Sequence, residues 1–317
     1  MGTSFGRGGA GTFPRDLVNS DCILIQGSNM AENHPVAFQW VVEAKLRGAE
    51  VIDVDPRFTR TSALATRYAA IRAGTDIAFL GGLINYMLTN ELEFREYVLN
   101  YTNAPRLVSE DFQDTEDLDG LFSGWNAETG NYDASSWRLT DERDETMQHP
   151  RCVLQVLKRH FARYTPEMVE RVCGVPAAQF RTIAEIICHN SGRDRTTSVV
   201  YSLGWTQHTI GVQNIRAAAI MQLLLGNMGR TGGGILALRG HASIQGSTDV
   251  PTLFDLLPGY LPMPHVGQDN FDSYVEGGRL PVGFWGDFRS YAVSLMKAWF
   301  GDAATAENDW YFERIPR

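Results

Sequence analysis

The sequence of 317 residues has only four cysteines, and no two of them form a C-x-x-C pair. Cysteines this widely spaced support neither a structural zinc site nor an iron–sulfur cluster. We therefore predict buried structural thiols, since free cysteine behaves mostly as a small buried hydrophobic residue. The four are Cys22, Cys152, Cys173 and Cys188.

Positive charge is also scarce, with 28 Lys and Arg against 37 Asp and Glu and a net charge of −9. No cluster of basic residues offsets this balance, so we expect no nucleic-acid-binding face.

Long apolar runs are missing too. The longest, at 217–225, contains Gln222 and predicts a buried helix rather than a membrane span. The glycines after Met1 do not resemble a secretory signal.

Alternating strand and helix patterns predict an α/β protein. An apolar run at 22–26, a helix opening at Pro35 and ending near Gly48, and a second run at 50–54 make a βαβ unit and imply a parallel sheet. Two further strands are predicted at 68–72 and 198–203. Helices are predicted at about 76–90, 150–163, 165–173, 176–189, 212–225 and 288–300.

Residues 102–149 differ from their surroundings in being polar and acidic. We interpret them as a surface insertion rather than a calcium loop, because the acids lack the D-x-D-x-D-G spacing that wraps an ion. A domain boundary is predicted near Gly240, where proline and glycine begin to interrupt a mostly irregular region.

The loop at 27–35 follows the first strand, and open α/β sheets bind ligands at the carboxyl ends of their strands. Gly27 permits close backbone approach, and Asn29, Glu32 and Asn33 offer polar contacts. Helix capping and turn formation explain the same side chains equally well. The G-x-G-x-x-G at 6–11 precedes the first strand, so it is not a dinucleotide fingerprint.

Two further segments carry side chains that are suited to contact a nucleotide. Asp55, next to Pro56, is suited to accept both ribose hydroxyls, and Arg57 can pair with a phosphate or stack on a base. The alternative is a surface Asp–Arg pair. Asp76, after Gly74, can accept hydrogen bonds from guanine. It can equally be a helix cap or a first-turn acid, and the pattern alone favours the cap.

Three motifs together resemble the large subunit of molybdenum- or tungsten-dependent formate dehydrogenases. They are Gly204–His208, Gly226–Gly229 and Ala237–Gly246, the last containing Leu-Arg-Gly-His. The resemblance implies a doubly wound, mainly parallel Rossmann-like domain at 1–239 and part of a second α/β domain at 240–317. Each domain of the family holds one of two molybdopterin guanine dinucleotides. Their dithiolenes, with an upstream selenocysteine or cysteine, bind the metal, and a [4Fe-4S] cluster lies in a domain further upstream.

The resemblance also implies roles for single residues. Leu203, Gly204 and Gln207 line the cofactor close to the metal, Arg239 holds the formate carboxylate, and His241 has a polar role beside the substrate. No residue of this sequence is assigned to the metal. Positions in the three loops described above contact the guanine dinucleotide: Gly27, Asn29, Glu32, Asn33, Asp55, Pro56, Arg57, Gly74 and Asp76.

The implied activity is oxidation of formate to carbon dioxide. Its implied partners are an iron–sulfur electron-transfer subunit and the remainder of the same polypeptide.

We expect the 317 residues to be a truncated reading of a longer gene, unable to oxidise formate alone. Three alternatives are a nitrate or polysulfide reductase of the same superfamily, a nicotinamide-dependent dehydrogenase, and a non-catalytic pterin-binding or assembly module. The compartment is not indicated, since relatives occur both in the cytoplasm and exported by the twin-arginine route.

Overall fold

The computed structural model describes residue 5 and residues 10–240, 255–278 and 287–317. They divide into two compact units, one reaching to Leu238 and one starting at Arg239. That these units are a complete and a partial pterin domain stays a prediction. Among the residues described, no helix combines the length and apolar character that a membrane span requires.

The first unit is built on a parallel sheet of five strands: β1 (Cys22–Gln26), β2 (Glu50–Asp55), β3 (Arg67–Ala70), β8 (Thr197–Tyr201) and β9 (Gly234–Ala237). They lie in the order β3-β2-β1-β8-β9. The predicted α/β class with a parallel sheet is therefore confirmed. The two predicted strands of the opening βαβ unit pair in register from Cys22 with Glu50 to Gln26 with Val54.

Helices cover both faces of this sheet, as the doubly wound prediction requires. In β1, Cys22 and Leu24 face one core cluster while Ile23 and Ile25 face another. Because both faces are covered, the central strands β1, β2 and β8 are buried at consecutive positions rather than at alternate ones. The helices are α1 (Met30–Asn33), α2 (Pro35–Leu46), α3 (Arg60–Leu64), α4 (Asp76–Thr89), α5 (Arg95–Tyr101), α6 (Val153–Phe161), α7 (Pro166–Cys173), α8 (Ala177–His189), α9 (Leu203–Thr206) and α10 (Gly211–Leu224).

One predicted strand is shorter than expected, and one strand was not predicted. The strand predicted at 198–203 ends at Tyr201, because Ser202 leaves extended geometry and α9 begins at Leu203. The apolar run after residue 233, which the sequence analysis did not assign to a strand, forms β9 beside β8. Four residues are too few for a periodic pattern, so only pairing reveals this strand.

The acidic segment forms short paired strands on the surface. Strand β4 (Arg106–Val108) pairs antiparallel with β7 (Leu139–Arg143), and β5 (Trp125–Asn126) pairs with β6 (Asn131–Tyr132). Most side chains between 109 and 143 are exposed. Asp114 is an exception, since it is buried and pairs with Arg159 of α6 at 2.8 Å. This ion pair holds the acidic segment against α6 within the first unit.

The second unit has an aromatic core of its own. Its described strands and α-helices are β10 (Leu256–Leu257), β11 (Leu261–Pro262), α11 (Phe271–Gly278) and α12 (Phe288–Phe300), and 3-10 helices lie at Pro258–Tyr260, Gly301–Ala303 and Ala306–Arg314. Phe271, Tyr274 and Phe312 are buried together and pack their rings at centroid distances of 5.2–6.4 Å. The helix predicted at 288–300 is confirmed with both of its ends.

Three of the four cysteines are buried, as predicted, and Cys188 is half-buried. Burial raises the pKa of the Cys22 thiol, and it raises the pKa of Cys188 to about 12. These thiols are therefore protonated at neutral pH and inert as nucleophiles.

Asp53 is a buried acid in the middle of β2, with 1% of its surface exposed. Its Oδ2 accepts a hydrogen bond from Ser62 of α3, while Oδ1 has no partner among the residues described. Burial raises the pKa of this carboxyl to about 7, an effect that the Ser62 hydrogen bond opposes. Desolvation disfavours the charged carboxylate, so the folded chain keeps the proton that the unfolded chain releases.

Substitution of Asp53 by Asn should change how stability depends on pH. The stabilisation from protonated Asp53 is complete below the unfolded pKa near 3.8 and is lost as pH rises through about 7. The unfolding free energy of wild type should therefore fall relative to that of Asp53→Asn by roughly 1–3 kcal/mol between pH 5 and pH 8. Urea unfolding across this range measures the difference. The exposed control Asp119→Asn should track wild type, and parallel curves for Asp53→Asn would contradict the prediction.

Candidate functional site

A cleft opens where the strand order of the sheet reverses direction. From β1 the chain proceeds outward through β2 and β3 on one side, and from β8 it proceeds to β9 on the other. The loops that leave β1 and β8 diverge at their carboxyl ends, which is where doubly wound folds bind ligands. The cleft has a volume of about 300 Å³. It is lined by Gly27, Ser28, Asn29, Asn33, Val54, Asp55, Pro56, Ala73, Asp76, Ser202, Leu203, Gly204 and His208.

Two glycines let the loops on either side of the cleft touch at their backbones. The carbonyl of Gly27 accepts a hydrogen bond from the N–H of Gly204 at 3.0 Å. A Cβ on Gly204 would lie 2.6 Å from the Gly27 Cα, and Gly27 itself has φ +75°. Only glycine fits both positions without displacing a loop.

Asp76 is the buried acid of the cleft, and donors from two other elements fix its position. It is the first residue of α4 and is 5% exposed. Its Oδ1 accepts hydrogen bonds from Gln26 Nε2 at 2.8 Å and from Trp205 Nε1 at 3.2 Å. Those two bonds use the lone pairs of Oδ1, so Oδ2 is the oxygen left for a ligand. His208 Nδ1 lies 4.0 Å from Oδ2.

The N-cap role that the pattern favoured for Asp76 is wrong. Thr75 occupies the N-cap position, and its own side chain bonds the Arg72 carbonyl. Asp76 is nevertheless a first-turn acid, where a carboxylate is favoured by the helix dipole. Its side chain is directed to Gln26 and Trp205 instead of to the backbone of its own helix.

Two buried polar atoms near the cleft have no partner among the residues that the structure describes. Ser28 lines the cleft with 5% of its surface exposed, and its hydroxyl is unbonded. The Oε1 of Gln26 is likewise buried and unbonded. Since buried polar groups are nearly always hydrogen-bonded, these atoms fit a site that a polar ligand completes.

Asn29 and Glu32 hold their loop in place rather than reaching into the cleft together. Asn29 accepts from the Thr61 hydroxyl at 3.0 Å and donates to Glu32. Glu32 pairs with Arg60 of α3 at 3.3 Å and is absent from the cleft lining. This network favours a role for the two side chains in holding the loop rather than in binding a ligand. Asn29 nevertheless lines the cleft.

Asp55 and Pro56 line the cleft at the end of β2. Asp55 Oδ1 accepts a hydrogen bond from the backbone N–H of Arg57 at 2.8 Å. This contact is a turn closed by a side chain and not the Asp–Arg side-chain pair of the alternative interpretation. Arg57 and Gly74 are exposed and do not line the cleft.

The residues predicted near the metal fall into three groups. Leu203 and Gly204 line the cleft, whereas Gln207 is exposed at the end of α9 and does not. Arg239 is exposed and follows the end of β9 by two residues. His241 lies outside the residues that the structure describes.

Several cleft residues were missed by sequence reasoning. Ser28, Ala73, Ser202 and His208 line the cleft, and Gln26 and Trp205 bond Asp76. The sequence held one sign of Gln26, because it is a polar residue at the end of a strand that is otherwise apolar. Over the described ranges, no group of three or more His, Cys, Asp or Glu could hold a metal ion.

The fold and cleft define a ligand-binding protein of the doubly wound α/β class. A family model described as molybdopterin oxidoreductase matches residues 4–283, and the chain belongs to that family. Family membership implies a molybdopterin cofactor carrying molybdenum or tungsten. The resemblance found in the sequence motifs is thereby confirmed at the level of the family.

The chain is similar to major and alpha subunits of formate dehydrogenases. It is 48% identical to the formate dehydrogenase-O major subunit of Escherichia coli K12, over 100% of this chain and 32% of that one. It is 44% identical to the formate dehydrogenase subunit alpha of Megalodesulfovibrio gigas, over 99% of this chain and 32% of that one. The chain thus spans about a third of the length of these relatives. Among solved structures, acetylene hydratase from Pelobacter acetylenicus aligns with a TM-score of 0.47 and 20% identity, over 70% of this chain and 25% of that one.

Trp205→Phe should destabilise the first unit by removing a donor to Asp76. The substitution keeps an aromatic ring beside Tyr201, whose ring centroid lies 5.1 Å away, but loses the indole N–H. We expect the unfolding free energy to fall by about 1–3 kcal/mol, the usual cost of leaving a buried polar group short of a partner. Urea denaturation measures the loss. The exposed Trp299→Phe is the matched control, and equal effects of the two substitutions would refute the role of the indole N–H.

Proposed function

We propose that this chain is a cofactor-binding part of the catalytic subunit of a formate dehydrogenase, which oxidises formate to carbon dioxide. The observation that carries the proposal is the cleft at the reversal of strand order, with a fixed carboxylate inside it. Identity of 42–48% to several formate dehydrogenase subunits favours formate over the nitrate and polysulfide alternatives.

We propose that the cleft holds the nucleotide end of a molybdopterin guanine dinucleotide, one of two in the whole enzyme. Asp76 Oδ2 is an acceptor for guanine N1–H and the exocyclic amine, because Gln26 and Trp205 already occupy Oδ1. Asp55 is placed to accept from the ribose hydroxyls. The unbonded hydroxyl of Ser28 is a donor for a phosphate oxygen next to the Gly27 backbone.

The metal and its dithiolene ligands supply two-electron redox chemistry that side chains cannot perform. This chain contributes binding and orientation. Arg239 carries a planar guanidinium whose paired N–H donors match a carboxylate, and we assign it to hold formate in one orientation. We assign His241 a polar contact beside the substrate. An iron–sulfur electron-transfer subunit and a [4Fe-4S] cluster elsewhere in the catalytic polypeptide complete the proposed pathway for electrons.

Asp76→Asn should release the guanine dinucleotide. The substitution preserves shape, but it either removes the acceptor at the Oδ2 position or breaks the bonds to Gln26 and Trp205. In the full-length enzyme we expect at least about a tenfold fall in bound cofactor, in line with an unmet buried hydrogen bond. Guanine nucleotide released by acid hydrolysis, measured per mole of protein, reports the loss. Asp111→Asn, an exposed change outside the cleft, is the control. Unchanged nucleotide in Asp76→Asn would remove this residue from cofactor binding.

Arg239→Lys should abolish most formate turnover without emptying the cofactor site. An ammonium cannot reproduce the two parallel donors of a guanidinium, so the carboxylate loses its fixed orientation. We expect kcat/KM for formate to fall by about two to three orders of magnitude. Metal and pterin contents should match wild type. Arg67→Lys, an exposed change on β3, is the control, and near-normal turnover by Arg239→Lys would exclude the assignment.

A further inference from the structure

The acidic segment carries a cluster of aromatic rings that the cofactor cleft does not use. Tyr132 is at its centre, with ring centroids of Trp125 at 4.9 Å, Trp137 at 5.2 Å and Phe122 at 6.4 Å. Phe122 also packs on Trp137 at 5.5 Å. We call these four residues the aromatic face.

Three rings of the aromatic face are partly exposed to solvent in the described chain. Trp125 is 40% exposed, Tyr132 37% and Trp137 44%. Large aromatic side chains stabilise a fold mainly through burial, so the exposed parts of these three rings are available for another contact. Exposed apolar clusters with a polar border are typical of surfaces that bind other proteins.

Hydrogen bonds hold the rings in fixed positions. The indole N–H of Trp137 donates to the Ser123 carbonyl at 2.8 Å, and the hydroxyls of Ser123 and Ser136 bond each other at 2.8 Å. Trp125 and Tyr132 are a cross-strand pair of the β5–β6 hairpin. A surface with little freedom loses little entropy when a partner docks.

The segment around the aromatic face is strongly negative. Residues 109–145 contain twelve Asp and Glu and two Arg, a net charge of −10, whereas the whole chain has −9. The rest of the chain is therefore close to neutral, and the negative charge is concentrated here. Such a field attracts cationic partners and repels anionic ones.

Only some of these acids are neutralised within the chain. Asp114 and Asp117 pair with Arg159, and Glu116 pairs with Arg163. Six others are exposed and form no ion pair in the part of the chain that the structure describes: Asp111, Asp119, Glu128, Asp133, Glu142 and Glu145. Their charges remain available to an approaching cation.

We propose that the aromatic face docks a protein partner through arginine side chains on that partner. A guanidinium stacks on tryptophan and tyrosine rings and pairs with nearby carboxylates, so one residue type satisfies both properties of the surface. Tryptophan, tyrosine and arginine are also the residues that carry most binding energy at protein interfaces. The competing explanation is that the rings serve only as a small core for their own segment.

Hexa-arginine amide is the probe that separates these explanations. It is titrated into the chain and into the holoenzyme that contains it, at physiological salt, by isothermal calorimetry. Hexa-citrulline amide is the control, since citrulline has nearly the shape of arginine without the charge. We expect hexa-arginine to bind both forms of the protein, and at least tenfold more tightly than hexa-citrulline.

Two sets of variants test the rings and the charges separately. Trp125→Ser should weaken hexa-arginine binding at least fivefold, while Trp125→Phe should largely preserve it. Trp299→Ser, which removes an exposed tryptophan elsewhere, should leave binding unchanged. The triple variant Asp111→Asn, Asp119→Asn, Glu128→Gln leaves every ring in place and should also weaken binding at least fivefold. Asp119 has φ +51°, a conformation that asparagine tolerates.

Four results would overturn the proposal. They are no binding of hexa-arginine, equal binding of hexa-citrulline, and binding lost only in the triple charge variant, which would indicate general electrostatic attraction. The fourth is binding to the chain but not to the holoenzyme, which would mean that other parts of the enzyme cover the aromatic face. If Trp125→Ser fails to fold, as judged by circular dichroism, Trp125→Leu takes its place, since it removes the ring but keeps an apolar side chain. Binding of hexa-arginine to Trp125→Leu as tight as to wild type would then overturn the proposal.

Discussion

One backbone hydrogen bond, from Gly204 to Gly27, sets the geometry of the whole cleft. It joins the loops that leave β1 and β8, and neither glycine has room for a side chain. Because the two loops meet at this point, Trp205 in the next position reaches Asp76. The donor that fixes the Asp76 carboxylate is therefore positioned by the point at which these two loops meet.

Much of the fold could be predicted because its signals are local. The run Cys22–Gln26 is bounded by an acid and a glycine, and the structure gives the strand those ends. Helix α12 was found with both ends for the same reason. The strand β9 was not found, since its four residues show no period and its place depends on pairing with β8.

The candidate site was harder to predict than the fold, because its bonds join distant parts of the chain. Asp76 looked like a helix cap when only its neighbours in sequence were considered. Its real partners, Gln26 and Trp205, lie 50 and 129 positions away. For Asn29 and Glu32 the sequence left cofactor binding and a structural role equally open, and the fold adds that both side chains bond to α3 while Asn29 also lines the cleft. The sequence identifies these side chains as polar, but only the fold shows which atoms each of them bonds.

The strand order has a consequence for how the protein is made. β1 pairs with β2 on one side and with β8 on the other, although β8 begins about 170 residues after β1 ends. At ordinary translation rates that interval lasts roughly 10–30 s. For this time a strand that the fold buries along its whole length has an open edge, which is a hazard for association with other chains. A ribosome-bound chaperone that shields this edge would therefore protect the synthesis of this protein more than that of one with only local pairing.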